Sequence, residues 1–416
     1  MPLEAKTGIA ARPRASSVEN STVPRYHGWP FPAEEITKAR FLARPNRFLV
    51  QCEEDGGRRI NAFLPNPGRL WELLLTGATL YVHRPRKRAR GDGSRKTRHT
   101  VLAVERDGYP IFLHTHETNR AARYLLENDL IPPLSGSRIV RAEVAMGKSR
   151  FDFLLEKDSR DLYLEVKSCT LFGNGIAMFP DAVTTRGRRH LLELADMSRQ
   201  GYRAAVLFLV HYPRVQWFMP DYHTDIDFSR ALLHVRGEVQ VIPAAVGWNK
   251  DLTLDHQSTK ILTIPWDYLN RELQDRGSYL LIVGISRKTR LQAGGLGARN
   301  FPKGYYVYVG SAMGDLSARL ARHQRKTKKL HWHIDFLTAG ADRIVPLPIR
   351  SSEKLECGIA EALATILEPG PGGFGSSDCR CATHLFFSPT DPLHSGEFHH
   401  LLQRFRMNPP VEVQDA

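Results

Sequence analysis

Cysteine is scarce in this sequence, with five in 416 residues: Cys52, Cys169, Cys357, Cys379 and Cys381. So few, in odd number, exclude a disulfide framework and indicate a reducing compartment. Long apolar runs are also missing, since the longest, residues 204–210, is far short of the roughly 20 residues that span a bilayer. The first residues lack the apolar segment of a secretory signal. We therefore expect a cytoplasmic protein without a membrane span.

Acidic residues are fewer than basic ones, 44 against 58, which leaves a net charge of +14. Two runs carry 13 of these charges: RPRKRARGDGSRKTR at 84–98 has eight cations and one acid, and LSARLARHQRKTKKL at 316–330 has six cations and no acid. One such run alone is typical of a solvated surface, but two runs in separate domains favour a polyanionic partner. Within these two runs the predicted contacts to DNA, or alternatively RNA, are Arg84, Arg86, Lys87, Arg88, Arg95, Lys96, Arg98, Arg322, His323, Arg325 and Lys326.

The length predicts two or three domains. Residues 1–35 have the composition of a flexible tail. Five short apolar runs between turn-forming residues, RFLVQCEE, RINAFL, GATLYVHR, RHTVLAVE and YPIFLH, predict a small barrel over residues 36–118. An OB-type barrel is one candidate, with the first basic run as the loop between the third and fourth of these strands.

Residues 119–248 change to an α/β pattern, with the predicted helices RAARYLLENDL and RGRRHLLELADMSRQG and the predicted strands RFDFLLE, DLYLEVKS and YRAAVLFLVHY. Residues 249–276 are predicted to be a linker with one short element. A third domain over 277–405 begins with the strands GSYLLIVGI and GYYVYVGSA, and 406–416 is a second tail. The predicted fold class is therefore multidomain α/β (α+β).

Two acidic residues and a lysine form the first chemical constellation. Glu165 and Lys167 lie two residues apart on a predicted strand, so their side chains share one face. If the preceding strand forms a hairpin with it, Asp152 comes beside Glu165 and the two carboxylates can bind Mg²⁺ or Mn²⁺. This arrangement is typical of metal-dependent phosphodiesterases. In such a site the lysine would orient or deprotonate the attacking water, or neutralise the phosphate. The alternative is a surface ion pair, but the strand is too apolar for an ordinary edge strand.

Three neighbouring residues extend this interpretation. Arg186 and His190 are four residues apart on a predicted helix and could both meet the phosphate. Glu143, on the element before Asp152, is a candidate additional metal ligand.

Four sequence segments around these residues carry a resemblance. PNPGRLWELL at 65–74, SRFDFLL at 149–155, LEVKSCTL at 164–171 and FPDAVTTRGRRHLLEL at 179–194 resemble the sugar fermentation stimulation protein A family. The resemblance implies an OB-type domain followed by a PD-(D/E)XK nuclease domain, DNA binding, and DNA or RNA cleavage. It implies Asp152, Glu165 and Lys167 as the catalytic core, with Glu143 in support. Thr185 departs from the family pattern, replacing its usual acid, as do Pro67 and Arg69, which replace Thr and Ser.

A second constellation lies in the third domain. Tyr279 and Tyr308 are on two predicted strands, Arg319 and His323 share a face of the following helix with Arg322 nearby, and Glu356 is the best acid on a later helix. A tyrosine to activate water, an arginine on the phosphate and a glutamate on a metal would suffice for phosphodiester hydrolysis. An alternative of equal weight is that the tyrosines only pack in the core and the basic helix is only solvated.

The segments GSYLLI, GYYVYVGSA, RLARHQRK, WHIDFL and GFGSSDCRCATHLF resemble a domain related to the GIY-YIG nucleases. Gly277, Ser278 and Tyr279 stand for Gly-Ile-Tyr, and Tyr308, Val309 and Gly310 for Tyr-Ile-Gly. The nearby Cys379, Cys381 and His384, with Cys357 as a further candidate, have a spacing tighter than that of structural zinc sites, so we interpret them as reduced structural residues.

The leading hypothesis is a DNA-binding, Mg²⁺-dependent nuclease with two nuclease-like modules. The alternative hypothesis is a nucleic-acid-binding regulatory protein whose nuclease fold no longer turns over. A structural adaptor without a nucleic-acid role is the third and weakest interpretation.

Overall fold

A computed structural model describes residues 33–84, 97–147, 149–292 and 294–408. Within these ranges the chain forms three sheet-based units with flanking helices, which confirms the predicted α/β multidomain class. No helix of the described ranges has the length and apolar character that crossing a membrane requires.

The first unit is a five-stranded barrel. Its sheet runs in the order β3-β2-β1-β4-β5-β6. A parallel pairing of β3 with β5 closes β1 to β5 into the barrel, and β6 pairs with β5 in addition. All five predicted strands are present, but the longest strand, β1, was missed because only Ala39 and Phe41 of its eleven residues are buried. The elements are β1 (Ile36–Asn46), β2 (Leu49–Glu54), β3 (Arg59–Phe63), β4 (Thr79–His83), β5 (His99–Arg106) and β6 (Tyr109–Phe112).

The second unit is a mixed six-stranded sheet in the order β15-β14-β12-β9-β8-β7, with a small sheet β10-β11-β13 beside it. β12 runs parallel to both β9 and β14, and all but its first residue are buried, as expected for an apolar central strand. Its elements are α1 (Thr118–Glu127), β7 (Arg138–Met146), β8 (Ser149–Lys157), β9 (Arg160–Cys169), β10 (Leu171–Gly173), β11 (Ile176–Phe179), α2 (Thr185–Arg199), β12 (Arg203–Val210), β13 (Trp217–Pro220), α3 (Ile226–Val235), β14 (Gln240–Trp248), β15 (Leu254–Ile261) and α4 (Trp266–Glu272).

The segment 249–276 differs from the linker predicted for it. β15 pairs antiparallel with β14 and forms the edge of the second sheet, and α4 follows it. The sequence LDHQSTKI concealed this strand because only its first residue, Leu254, is buried. An edge strand of this kind has little apolar periodicity to detect.

The third unit is an antiparallel sheet in the order β20-β16-β19-β22-β21, with helices on both faces. Every residue of β16 is buried, because this strand lies between β19 and β20 and beneath both helix layers. The elements are β16 (Gly277–Ile285), β17 (Thr289–Gln292), β18 (Ala298–Phe301), β19 (Gly304–Ala312), α5 (Leu316–Gln324), α6 (His333–Ala339), β20 (Arg343–Arg350), α7 (Glu356–Ala364), β21 (Glu368–Pro369), β22 (Leu385–Ser388) and α8 (Gly396–Arg406).

Buried polar contacts join the second and third units. The backbone N–H of Arg350 donates to His223 Nδ1 (2.9 Å), and its guanidinium donates to the carbonyls of Tyr222 and His223 and to Asp275 Oδ1. From α8, Gln403 Nε2 donates to the carbonyl of Phe172 (3.0 Å). Because an unpaired buried cation is costly, these contacts fix the two units against each other.

A buried histidine in the second unit makes stability depend on pH. Trp248 Nε1 donates to His211 Nδ1 (3.1 Å), so Nε2 carries the ring hydrogen and faces Ser168 Oγ (3.1 Å). His211 is fully buried, and this burial lowers its pKa to about 3. Protonation in the folded state is therefore strongly disfavoured.

We predict that His211 destabilises the fold as pH falls. The pKa is about 6.5 in the unfolded chain and about 3 in the folded one, so the unfolded state binds the extra proton between these values. The free energy of unfolding should fall by about 1.4 kcal/mol per pH unit from this residue over that window. Urea unfolding of wild type and His211→Gln at several pH values measures the slope, with the surface substitution His331→Gln as control. Equal slopes for wild type and His211→Gln would contradict the prediction.

Candidate active sites

The first site lies on the β8–β9 hairpin, as predicted. Phe153 pairs with Leu164, so the register places Asp152 next to Glu165 at the following position. Lys167 Nζ contacts Glu165 Oε1, which confirms that the two side chains share a face. The hairpin alone therefore brings the two carboxylates and the lysine together.

Glu165 is a buried acid with unequal oxygens. Oε1 accepts hydrogen bonds from His190 Nδ1 (2.6 Å) and from Lys167 Nζ, whereas Oε2 is buried and has no hydrogen-bond partner among the described residues. Burial raises the pKa of Glu165, but the His190 hydrogen bond and the Lys167 charge lower it by more. The net pKa is lowered, so the carboxylate is charged and presents one free oxygen.

Asp152 is oriented by two donors. Asn119 Nδ2 on α1 donates to its Oδ1 (2.7 Å), and the backbone N–H of Val166 donates to its Oδ2 (2.7 Å). Burial and the neighbouring Glu165 charge raise the pKa of Asp152. Two carboxylates this close favour a shared cation. The role of Asn119 was missed, because nothing in RAARYLLENDL or the residues before it indicates a contact with a strand 33 residues later.

Helix α2 supplies the histidine that holds Glu165. Thr184 begins this helix, and its Oγ1 accepts a hydrogen bond from the N–H of Gly187 (3.0 Å). Arg186 Nε donates to His190 Nε2 (3.3 Å), so Nδ1 carries the ring hydrogen that is donated to Glu165. Arg186 is exposed and can contact a phosphate.

Two predictions for this site need correction. His190, predicted to contact nucleic acid, is only 2% exposed and bonded on both ring nitrogens, so it positions Glu165 instead. Glu143, predicted as a metal ligand, lies between residues that pair with Phe151 and Phe153, but it has a left-handed φ of 52° and an exposed side chain. Its carboxylate accepts a hydrogen bond from Arg150 Nη1 (3.3 Å) rather than approaching Asp152.

The first basic run connects β4 to β5. Arg84 and Arg98 are the first and last residues of this run, and both are exposed. The other predicted contacts of this run, Arg86, Lys87, Arg88, Arg95 and Lys96, lie outside the described residues.

The second site is built on the neighbouring strands β16 and β19. Tyr279 pairs with Gly310, and a Cβ at residue 310 would overlap the tyrosine ring. This close approach explains the glycine after Tyr308 and Val309. Both tyrosines are buried, with ring centroids 6.3 Å apart, and burial raises the pKa of each. The Tyr279 hydroxyl lies 2.9 Å from His323 Nε2.

The helix α5 presents its cations to a buried acid. Arg322 Nη1 and Nη2 each donate to Asp335 (both 2.9 Å), and Arg319 and Arg322 both stack on the Trp332 ring at 4.2 Å. Asp335 is fully buried and also accepts the N–H groups of His331 and Trp332, so burial raises its pKa but these donors lower it by more. An acid inside the otherwise apolar HIDFL was the signal that could have identified this residue.

Two residues of α5 that were predicted to contact nucleic acid make contacts within the fold instead. His323 is 1% exposed and lies between Tyr279 and Asp335, and burial lowers its pKa to about 4. Arg322 has its guanidinium committed to Asp335. Only Arg325 and Lys326, just after the helix, are exposed as predicted, while Arg319 is half-buried.

Glu356 lies at the start of α7 and is buried. Ser311 Oγ donates to its Oε2 (2.5 Å), and its Oε1 lies 3.2 Å from His384 Nδ1. Burial raises the pKa of Glu356, but these two partners lower it by more. Ser311 lies on β19, the strand that carries Tyr308, so this hydrogen bond attaches the predicted acid to the strand of one predicted tyrosine, although both carboxylate oxygens of Glu356 already have partners.

Three family models match successive parts of the chain. They are the SfsA N-terminal OB domain over residues 42–113, the sugar fermentation stimulation protein RE domain over 116–251, and the domain of unknown function DUF123 over 278–407. These matches follow the three units of the fold.

Two relatives that carry the same family name each match about half of this chain. The sugar fermentation stimulation protein homolog of Methanothermobacter thermautotrophicus is 39% identical over 50% of this chain and 85% of that protein. The homolog of Moorella thermoacetica is 42% identical over 47% of this chain and 83% of that protein. The structure of Pyrococcus furiosus SfsA in complex with Ca²⁺ aligns with 55% of this chain and 95% of that one, with 28% identity and a TM-score of 0.49. The chain therefore belongs to the sugar fermentation stimulation protein family and carries a DUF123 domain in addition.

Proposed function

We propose that this protein binds DNA and hydrolyses its phosphodiester bonds with a divalent cation held by Asp152 and Glu165. The observation that carries the proposal is Glu165 Oε2, a buried carboxylate oxygen beside Asp152 without a partner among the described residues. A buried acceptor normally has a donor or a cation, so these residues fit a hard metal ion such as Mg²⁺ or Mn²⁺.

The side chains around the two carboxylates have separate tasks. Mg²⁺ or Mn²⁺, when bound, would neutralise charge on the phosphate and make water a stronger nucleophile. Lys167 Nζ contacts Glu165 Oε1 and its side chain is 17% exposed, so it can hold or take up a proton of the attacking water. His190 fixes Glu165 Oε1, Asn119 orients Asp152, and the exposed Arg186 guanidinium can bind the phosphate.

We predict that Glu165→Gln and Lys167→Ala each lower metal-dependent cleavage of plasmid or single-stranded DNA by about 100-fold or more, because each removes a group acting at the reacting phosphate. Nicking of plasmid in Mg²⁺ or Mn²⁺, with a chelator blank, measures the rate. Glu156→Gln is the matched control, since Glu156 lies on the same hairpin but pairs with Arg138 and is 45% exposed.

DNA binding, measured apart from cleavage, separates the nuclease hypothesis from the hypothesis of a non-catalytic regulatory protein. Fluorescence anisotropy with labelled DNA should show that Glu165→Gln still binds. Cleavage at the wild-type rate in both variants would overturn the assignment of the site. If the wild-type chain binds DNA but cleaves it with neither Mg²⁺ nor Mn²⁺, a regulatory, non-catalytic protein would be favoured.

The exposed cations predict salt-dependent binding. Replacing both Arg325 and Lys326 by alanine should weaken DNA binding and reduce the slope of log K against log salt by about 0.9 for each phosphate that the variant no longer neutralises. The exposed Lys250, on the turn between β14 and β15, gives the control Lys250→Ala. Wild-type affinity that stays constant from low to moderate salt would refute an electrostatic DNA interface.

We further propose that the DUF123 domain is a GIY-YIG-like phosphodiester site, with Arg319 as its phosphate contact. Its support is the neighbouring rings of Tyr279 and Tyr308 together with the half-buried Arg319, whose guanidinium stacks on Trp332. Arg319 lies on the same helix as His323, which contacts the Tyr279 hydroxyl. The buried tyrosines can supply a hydroxyl to a substrate oxygen, and Arg319 can compensate charge on the phosphate.

We predict that slow cleavage remaining in Glu165→Gln disappears in the double variant Glu165→Gln, Arg319→Ala. The same plasmid assay measures it over longer times. Glu165→Gln with Lys288→Ala is the control, because Lys288 is an exposed cation on the β16–β17 turn. Equal residual cleavage in the double variant and its control would exclude a catalytic role for Arg319.

A further inference from the structure

Four potential metal ligands meet in the third unit, outside both sites described above. One ligand atom from each of Cys357, Cys379, Cys381 and His384 lies within 4.8 Å of the other three. Cys357 is in the first turn of α7, and the other three lie in the loop that precedes β22. A tetrahedral zinc ion with bonds of ~2.3 Å separates its ligands by about 3.8 Å, so the observed cluster needs only a small contraction.

The fold explains why the sequence did not reveal this set. Cys379, Cys381 and His384 are too closely spaced for a paired Cys-x-x-Cys motif, and Cys357 is distant in sequence. The loop before β22 packs against the start of α7, which supplies the fourth ligand. Three cysteines and one histidine are a common donor set of structural zinc sites.

His384 is oriented as a metal ligand. Its Nε2 is 3.4 Å from Cys379 Sγ, inside the cluster, while its Nδ1 is 3.2 Å from Glu356 Oε1. Metal-bound histidines almost always donate the other ring N–H to a carboxylate or carbonyl, and Glu356 occupies that position. Ser311 Oγ in turn fixes Glu356 from β19 (2.5 Å).

The thiols are free and reachable by an ion. None of the three forms a disulfide. Cys357 and Cys381 line a pocket of about 400 Å³, which gives the cluster a path to solvent. Cysteines that served only to pack the loop would need neither His384 beside them nor the Glu356 carboxylate that contacts this histidine.

We propose that Cys357, Cys379, Cys381 and His384 bind one Zn²⁺ ion, with Glu356 as the carboxylate that orients His384. The ion joins the loop of residues 370–384 to α7. The same loop contains Gly375, whose backbone packs so closely on Tyr308 that a Cβ there would overlap the ring. Zinc would therefore hold in place the loop backbone that packs on Tyr308, and this role is independent of whether the second site cleaves DNA.

The direct test is the metal content of the purified wild-type chain of 416 residues. The chain is reconstituted with zinc alone, and excess metal is removed. Inductively coupled plasma mass spectrometry should then find one zinc per chain. Reconstitution with Co²⁺ should give the intense visible absorption and the thiolate charge-transfer band of tetrahedral sulfur coordination. A zinc content far below one per chain, or a Co²⁺ spectrum without a thiolate band, would overturn the proposal without any variant.

Variants then identify the ligands. Cys379→Ser and His384→Ala should each lose the bound zinc, while Cys52→Ala should keep it, because Cys52 is buried in the barrel far from the cluster in sequence and fold. Circular dichroism checks that each variant is folded. Retention of one zinc per chain in both ligand variants would refute the assignment.

Glu356→Gln tests the carboxylate separately. It leaves all four ligands in place, and loss of such a partner typically weakens metal affinity about 10 to 100-fold. Competition with a chromophoric chelator measures this affinity on the folded chain. An unchanged zinc affinity would remove Glu356 from the site and leave only the four ligands to be judged by their own variants.

Discussion

The burial of the Glu165 carboxylate is the constraint on which the second unit depends. β9 lies between β8 and β12 among apolar residues, where a charge without partners would be costly. His190 and Lys167 supply the compensation. This requirement ties the helix α2 to the sheet and leaves one oxygen of the acid for a cation. The stability of the site and its capacity for chemistry therefore have the same origin.

The third unit uses the same solution with another acid. Asp335 is fully buried and is compensated by Arg322, with Lys328 Nζ at 3.8 Å and only 3% of that lysine side chain exposed. Part of the second basic run therefore lies inside the fold. The number of cations in a run is an upper limit on those that can contact a partner, because a cation that looks solvated in the sequence can compensate a buried acid instead.

Contacts at the junction make the units depend on one another. Arg350 reaches from β20 to the carbonyls of Tyr222 and His223, and Gln403 of α8 reaches the backbone of Phe172. Each contact satisfies a buried polar group with one from the other unit. The DUF123 domain is therefore attached by a specific interface and not only by the chain, which continues through β15 and α4 before it.

The sequence by itself determined the α/β class, the barrel, the β8–β9 hairpin and its facing Asp152, Glu165 and Lys167, because strand alternation and short-range pairing are encoded locally. It missed β1, of whose eleven residues only two are buried, and the edge strand β15, of which only one residue is buried, because so few buried residues leave little apolar pattern. Only the tertiary structure decided that His190 and His323 are internal, that Glu143 faces solvent, and that Cys357 joins Cys379, Cys381 and His384. Burial and contacts between distant segments are properties of packing, which no local spacing records.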